Sequence, residues 1–375
     1  MRLPASSIAT LCLVAAGLVV CTETVFAQRA VTLRGEATCS RCDVTLAQPV
    51  LLRGADSLGN FSPSPTLRRL SDGRFIAVNY QVPGVLQIVG PDGSLQRQVG
   101  RAGGGPFEFQ QIASIERSLG DTIIIYDNGN ARVTRLSPTL QLLGEAPAPG
   151  RVQTGLHLGA DRYVVNAPVI SPNGSAQLLH VVNRTGTIRS FGTVTGVTRA
   201  SVSGKPVWRQ IARSPSDNTI WTAQTTSYVL EQWDTAGTRR AVLTRDASWF
   251  QSYDEEVRID PEHPPQPWIR AVELDQSGLI WVMISVPDPR YREGLEALPQ
   301  QVNGITIHRL RDAATIWDTV IEVIDPATGQ VLTSKSFANA FIGFADPDHV
   351  FEYIQDDDDV GHYRVVRIAL TGRGQ

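Results

Sequence analysis

One signal recurs six times along the chain: a cluster of turn formers followed directly by a run of β-branched and aromatic residues. It reads Ser71-Asp72-Gly73 before Phe75-Ile76-Ala77-Val78, Gly120-Asp121 before Thr122-Ile123-Ile124-Ile125-Tyr126, and Gly159-Ala160-Asp161 before Tyr163-Val164-Val165. The later copies are Pro215-Ser216-Asp217-Asn218 before Thr219-Ile220-Trp221, Asp275-Gln276-Ser277-Gly278 before Leu279-Ile280-Trp281-Val282, and Asp346-Pro347-Asp348 before His349-Val350-Phe351. A second β-rich run and a second turn follow each copy, as in Val89-Gly90-Pro91-Asp92-Gly93 and Ile324-Asp325-Pro326-Ala327-Thr328-Gly329. The unit is strand, turn, strand, loop, strand, turn, strand, a four-stranded antiparallel meander. Its spacing runs from about 40 to about 70 residues, and the short end matches the period of propeller blades. Helical periodicity is nearly absent. A β-sandwich is the plainer all-β alternative, but six equivalent units suit radial repetition better.

The hairpin units lie near 70–100, 118–145, 157–192, 211–244, 271–337 and 341–372. The last has only three strands, near 341–344, 350–354 and 363–370, and just Arg373-Gly374-Gln375 follows. The unassigned β-rich stretch 44–52 can supply the missing outer strand, which closes the ring and leaves no long sheet edge exposed. The expected fold is therefore all-β: one six-bladed β-propeller domain over 28–375, closed by an N-terminal strand in the last blade.

Gly100-Arg101-Ala102-Gly103-Gly104-Gly105-Pro106-Phe107-Glu108-Phe109 is followed by a strand ending in Asp127 and then by Asn130-Ala131-Arg132-Val133. This order resembles the signature of NHL-type six-bladed β-propellers, in an exported bacterial-type form: a Gly-rich inter-blade loop ending in Phe, a strand ending in Asp, then Asn-x-Arg-Val. Phe107 stands where related exported propellers often place Gly. The resemblance covers residues 97–136, and elsewhere only the hairpin skeleton is shared. It implies the propeller fold and places Asp127 and Arg132 at a repeat-defining position, as a strand-end charge pair bracing the blade. Propellers of this kind include binding scaffolds and enzymes, so no single function is implied.

The first 27 residues read as an export signal. Arg2 opens the segment, 8–20 is an apolar run of h-region length, and Val25-Phe26-Ala27 puts small residues at the −3 and −1 positions of a cleavage site. The run is too short to span a bilayer, which takes about 20 apolar residues. Lipidation at Cys21 is disfavoured because Val20 is bulky where a small residue is wanted. The expected product is periplasmic or extracellular, monomeric and without a transmembrane segment. Cleavage leaves Cys39 and Cys42, expected as a local disulfide stapling a hairpin between flanking strands near 31–35 and 44–52. With 34 Lys+Arg against 37 Asp+Glu the net charge is −3, which argues against nucleic acid as a partner.

In a meander blade, the loops between strands two and three share a face with the inter-blade connections. The long segments 100–111, 193–210, 246–270 and 286–317 gather there, with the loops 80–84 and 355–362. Long connections are more often functional than tight turns, so this is the expected ligand face. Its candidate binding residues are Arg101, Glu108, Trp249, Asp254, Trp268, Tyr291, Asp356 and Asp358, and a short helix is expected near 293–298. The Asp run 356–359 misses the calcium-loop spacing, so no metal ligands or cofactor are assigned and calcium is kept only as an alternative. Local catalytic motifs are missing: there is no Gly-x-Ser-x-Gly, no His-Glu-x-x-His and no phosphate-binding Gly-Lys-Ser/Thr loop. The expected function is an exported scaffold that binds a protein, peptide or small ligand. The alternative is a metal-dependent propeller hydrolase of lactonase or esterase type, or a lyase, with ligands converging at the central channel.

Overall fold

Each turn signal closes a hairpin, and the Asp within it shows why. The Asp275 carboxylate accepts the backbone N–H groups of Ser277 (2.9 Å) and Leu279 (3.1 Å), and Asp217 accepts that of Thr219 (2.8 Å). The side chain thus satisfies donors that the reversal would leave open. The computed structural model describes residues 8–15, 18–25, 28–53, 66–79, 82–196, 207–302, 305–311, 313–356, 358 and 360–373.

The hairpins combine into six antiparallel blades. Blade 1 is Leu67–Arg69, Phe75–Asn79, Val85–Val89 and Leu95–Val99; blade 2 is Ile112–Arg117, Ile123–Asp127, Arg132–Leu136 and Leu142–Pro147. Blade 3 is Thr154–Gly159, Arg162–Ile170, Ser175–Asn183 and Gly186–Thr195; blade 4 is Arg209–Arg213, Thr219–Gln224, Val229–Asp234 and Arg239–Arg245. Blade 5 is Trp268–Leu274, Ile280–Pro287, Trp317–Asp325 and Gln330–Phe337; blade 6 is Phe341–Asp346, His349–Gln355 and Gly361–Thr371, completed from the N-terminal region. Ile8–Ala15 and Leu18–Val25 pair with each other, and the expected cleavage site at 26–27 lies outside the described residues.

The core is divided among the blade interfaces. Strands buried on both faces carry near-continuous apolar runs, such as Ile123-Ile124-Ile125-Tyr126, and each run contributes to the interfaces on both its sides. Ile123 and Ile125 pack against blade 1, while Ile124 and Tyr126 pack against blade 3.

The N-terminal segment laces three of these interfaces together. Arg29–Leu33 adds to the outer strand of blade 4 in parallel, a fifth strand that the hairpin pattern does not announce. The chain then crosses the rim of blade 5, where the Thr38 N–H donates to the Val331 carbonyl at 2.9 Å and Lys335 pairs with Asp43 at 2.8 Å. Asp43–Leu46 and Val50–Leu52 finally pair antiparallel with Gly361–Thr371, the expected closure of blade 6. Along the way Leu33 enters the core between blades 4 and 5, Val44 that between 5 and 6, and Leu52 that between 6 and 1. Gly93 and Gly372 (φ +84° and +77°) lie directly against this segment, where a Cβ would collide with the carbonyls of Leu51 and Arg41.

Three expectations need correction. Cys39 and Cys42 are bonded, with Cα atoms 5.3 Å apart, but they do not staple a hairpin. The strands on either side diverge to blades 4 and 6, because each finds an unpaired outer edge there and not in the other. The short helix expected near 293–298 is a single 3-10 turn, Tyr291–Gly294, and Leu295–Val302 is instead a strand paired with Ile305–Leu310: Pro299 removes a donor that a helix would use, and Val302, Ile305, Thr306 and Ile307 favour extended backbone. Asp127 and Arg132 sit opposite each other in register without forming an ion pair. Asp127 accepts the N–H groups of Gln110 (3.1 Å) and Gln111 (2.8 Å), while Arg132 donates to the Glu108 carbonyl (2.6 Å) and pairs with Glu145 (3.1 Å). Each braces the Gly-rich connection separately. Within that connection Phe107 holds a left-handed backbone (φ 60°), where Gly would sit without strain, and its ring packs against the core between blades 1 and 2.

Candidate functional site

The first strand of every blade stands innermost, and together these strands enclose a cavity of about 670 Å³ on the propeller axis. Each inner strand follows an inter-blade connection and ends in a tight turn, so position along the strand measures depth in the channel. Trp208, Arg209, Trp268 and Arg270 lie toward the connection end. Glu116, Arg117, Arg213, Glu273 and Asp346 lie toward the turn end, with the turn residues Ser71, Leu119 and Asp121 at its mouth.

The turn end is a matched set of charges. The Glu116 carboxylate accepts the His157 backbone N–H at 2.6 Å and the Tyr126 hydroxyl at 3.3 Å. Burial nevertheless pushes its pKa up from 4.5 to about 7, against the pull of those bonds and of Arg68 and Arg213. Burial likewise raises Glu273 to about 7, opposed by the Leu274 N–H and by Arg68. Arg68, itself lowered by burial and supported by both glutamates, donates to the carbonyls of Leu67 (2.7 Å) and Phe344 (3.2 Å). Arg213 donates to the His157 carbonyl at 3.1 Å. Asp121, in a left-handed conformation (φ 55°), is held by the Ser71 N–H and hydroxyl and lies 3.5 Å from Arg117. Beside it Leu119 is 77% exposed at the rim.

The connection end is built differently. The Arg270 Nε donates to the Ile342 carbonyl at 3.3 Å, and its guanidinium lies 4.7 Å over the Trp268 ring. Burial alone lowers its pKa, to about 10, and it forms no ion pair with a described carboxylate. Arg209 donates to the Trp208 carbonyl at 2.9 Å; burial lowers it to about 10 as well, with Glu231 opposing. The Trp208 indole N–H is buried without a hydrogen-bond partner.

Of the eight residues singled out by sequence, only Trp268, 8% exposed, lines this channel. Arg101 and Glu108 pair with each other in the connection between blades 1 and 2, where the Gly105 N–H and then Arg101 hold the Glu108 carboxyl below its ordinary value. Trp249, 38% exposed, contacts Tyr228 and Phe250 edge-on, and Asp254 is exposed further along the same connection. Tyr291, 4% exposed, donates to the Pro261 carbonyl at 3.0 Å and so ties the blade 5 insertion to the preceding connection. Asp356 caps its own loop by accepting the N–H groups of Asp358 (3.1 Å) and Val360 (2.8 Å), and His362 at 2.9 Å holds its carboxyl low. Asp358 is exposed in that loop, while Asp357, Asp359, 80–81 and 197–206 lie outside the described residues. No three His, Cys, Asp or Glu side chains gather as metal ligands among the described residues.

The channel charges lie in strands, away from the loops that the sequence pattern singles out. The signal is present in the strand before four of the six turn copies, where Arg68, Glu116, Arg209, Arg213, Arg270 and Glu273 interrupt otherwise apolar stretches. A charge in the innermost strand of a propeller has only the axis in which to find water or a ligand.

No protein-family model matches the sequence, and no curated protein matches it significantly. Among solved structures, the fold is similar to a DUF4221 family member from Bacteroides vulgatus at 9% identity and TM-score 0.61, over 88% of this chain and 99% of that one. It is also similar to a Bacteroides fragilis protein described as exported, at 11% identity and TM-score 0.53, over 92% and 100% of the two chains. A streptogramin B lyase superposes more loosely, at 12% identity and TM-score 0.43 over 87% and 98%. Identities this low speak to architecture alone. The chain is a six-bladed β-propeller.

Proposed function

We propose that this protein is an exported binding propeller whose small-molecule ligand sits in the central channel. One observation carries the reading: a cavity of about 670 Å³, the size range of small-ligand sites, walled by buried and half-buried Arg and Glu side chains from the inner strands. Charges taken out of water reduce stability unless something matches them. The loop face keeps a secondary place, because Arg101, Glu108, Asp356 and Tyr291 are engaged in bracing their own loops. Export rests on the signal-like segment 1–27, and kinship with NHL-type propellers rests on residues 97–136.

Native mass spectrometry of protein purified from its own compartment tests the reading. The wild type is expected to carry a small molecule that A113W, which fills the channel from the inner strand of blade 2, loses while its melting temperature holds. A ligand kept by A113W and lost on W249A would return the site to the loop face.

A second reading is favoured by Glu116 and Glu273, whose pKa values of about 7 suit proton transfer at neutral pH. In that case the channel binds a substrate and one glutamate acts as acid or base. Chemical change of the bound molecule by the wild type but not by E116Q or E273Q, at equal occupancy, would establish it.

A further inference from the structure

The two ends of the channel are not equivalent in charge. At the turn end, Glu116, Glu273, Asp121 and Asp346 stand among Arg68, Arg117 and Arg213, so the guanidiniums there have counter-charges within the protein. At the connection end Arg270 has a carbonyl and an indole face as its partners and no described carboxylate. Arg209 lies in the adjacent inner strand, donating to the Trp208 carbonyl and supported by the Glu231 carboxylate, so its charge is partly matched within the protein. Arg270 is half-buried against the cavity, and a guanidinium partly withdrawn from water is favoured by an anion that replaces its lost hydration. Its planar fork suits carboxylate and phosphate oxygens. The wall around it is apolar and aromatic, with Trp208, Trp268, Ile211 and Val272.

Resting on the channel reading above, we propose that the connection-side half of the channel is an oxyanion site, with Arg270 as its central donor and Arg209 beside it, for a small organic acid with an apolar body. The acid group meets the Arg270 guanidinium, and the body lies against the indoles and the aliphatic wall.

Calorimetric titration of the full chain with benzoate, phenyl phosphate and benzamide tests this and separates carboxylate from phosphate. One or both anions are expected to bind at least tenfold more tightly than benzamide, which shares the ring but not the charge. R270Q should weaken the anion tenfold or more and leave benzamide unchanged, whereas R97Q, on an exposed outer strand, should change neither. Should R270Q fold poorly, R209Q and a salt series serve instead: salt should weaken the anion and spare benzamide. Equal binding of benzoate and benzamide, both blocked by A113W, would overturn the oxyanion site and leave the channel reading standing. Failure of all three probes at millimolar concentration would overturn the oxyanion site, and the co-purified ligand would judge the channel reading separately.

Discussion

The outer rim and the inner wall of this propeller follow opposite rules. At the rim, the N-terminal segment adds backbone pairing and sets Leu33, Val44 and Leu52 into three successive blade interfaces. On the inner wall, the equivalent exposed edge carries Arg68, Glu116, Arg209, Arg270 and Glu273, each losing hydration on burial. The rim removes polar groups from jeopardy by pairing them; the wall leaves charges facing a cavity. The difference separates what holds the ring shut from what the ring is for.

The hardest blow to the rim is loss of the segment itself. Deleting residues 1–53 removes three buried apolar side chains, worth about 2 kcal/mol each, together with the strands that close blade 6 and extend blade 4. A loss of well over 5 kcal/mol is expected, seen as a collapsed melting temperature or an insoluble product. G372V attacks the same contact at one point, since its side chain collides with the Arg41 carbonyl at a left-handed position, and should lower the melting temperature clearly. A deletion protein that melts like the wild type would remove the rim from the account.

The next largest effect belongs to a charge that, unlike Arg270, has a carboxylate partner. Glu322 accepts the Arg245 Nε and Nη2 at 3.1 Å each and the Tyr228 hydroxyl at 2.7 Å, while the Arg245 Nη1 donates to the Gly35 carbonyl at 2.9 Å. The cluster rivets the N-terminal segment to blades 4 and 5. R245M leaves Glu322 buried without its counter-charge and should cost about 3–5 kcal/mol in urea unfolding, whereas R245M/E322L should regain much of it.

Glu116 gives a smaller, signed effect. Its pKa rises from 4.5 to about 7 on folding, so the folded state binds more protons between those values. Its contribution is present below pH 4.5 and lost as pH climbs through about 7. Stability should therefore fall across that window, by up to about 3 kcal/mol from this group. In E116Q that part of the slope should vanish; an unchanged profile would show that Glu116 is not buried as described.

The smallest change is expected at Phe107. F107G relieves a left-handed strain of about 1 kcal/mol but removes a ring from the core between blades 1 and 2, so stability should shift by no more than about 1 kcal/mol either way.

The blades were legible because turn chemistry is local: an Asp or Gly at each reversal and β-branched residues after it act within a few positions. Closure by 44–52 was legible as well, since the last unit lacked a strand and an unused one remained. The fifth strand of blade 4 was not, because parallel addition of Arg29–Leu33 to an outer edge leaves no paired turn in the sequence. The divergence of the chain at Cys39 and Cys42 was hidden for the same reason. The channel was the least legible part. Arg270 and Glu273 read as ordinary charges in a strand until the ring brings them to the axis beside Arg68, some 200 residues away in sequence. Side chains such as Tyr291 misled in the other direction, because composition cannot tell a ring offered to a ligand from one packed against its own loop.

The division between rim and wall is tested most directly by measuring melting temperature and benzoate affinity together on L52A and R270Q. L52A should lose several degrees, since truncating a buried Leu costs about 2–5 kcal/mol, and should bind as the wild type does. R270Q should melt at or above the wild-type temperature and lose affinity tenfold or more. An R270Q protein that melts lower while keeping its affinity would make the inner charges part of the scaffold and contradict the account.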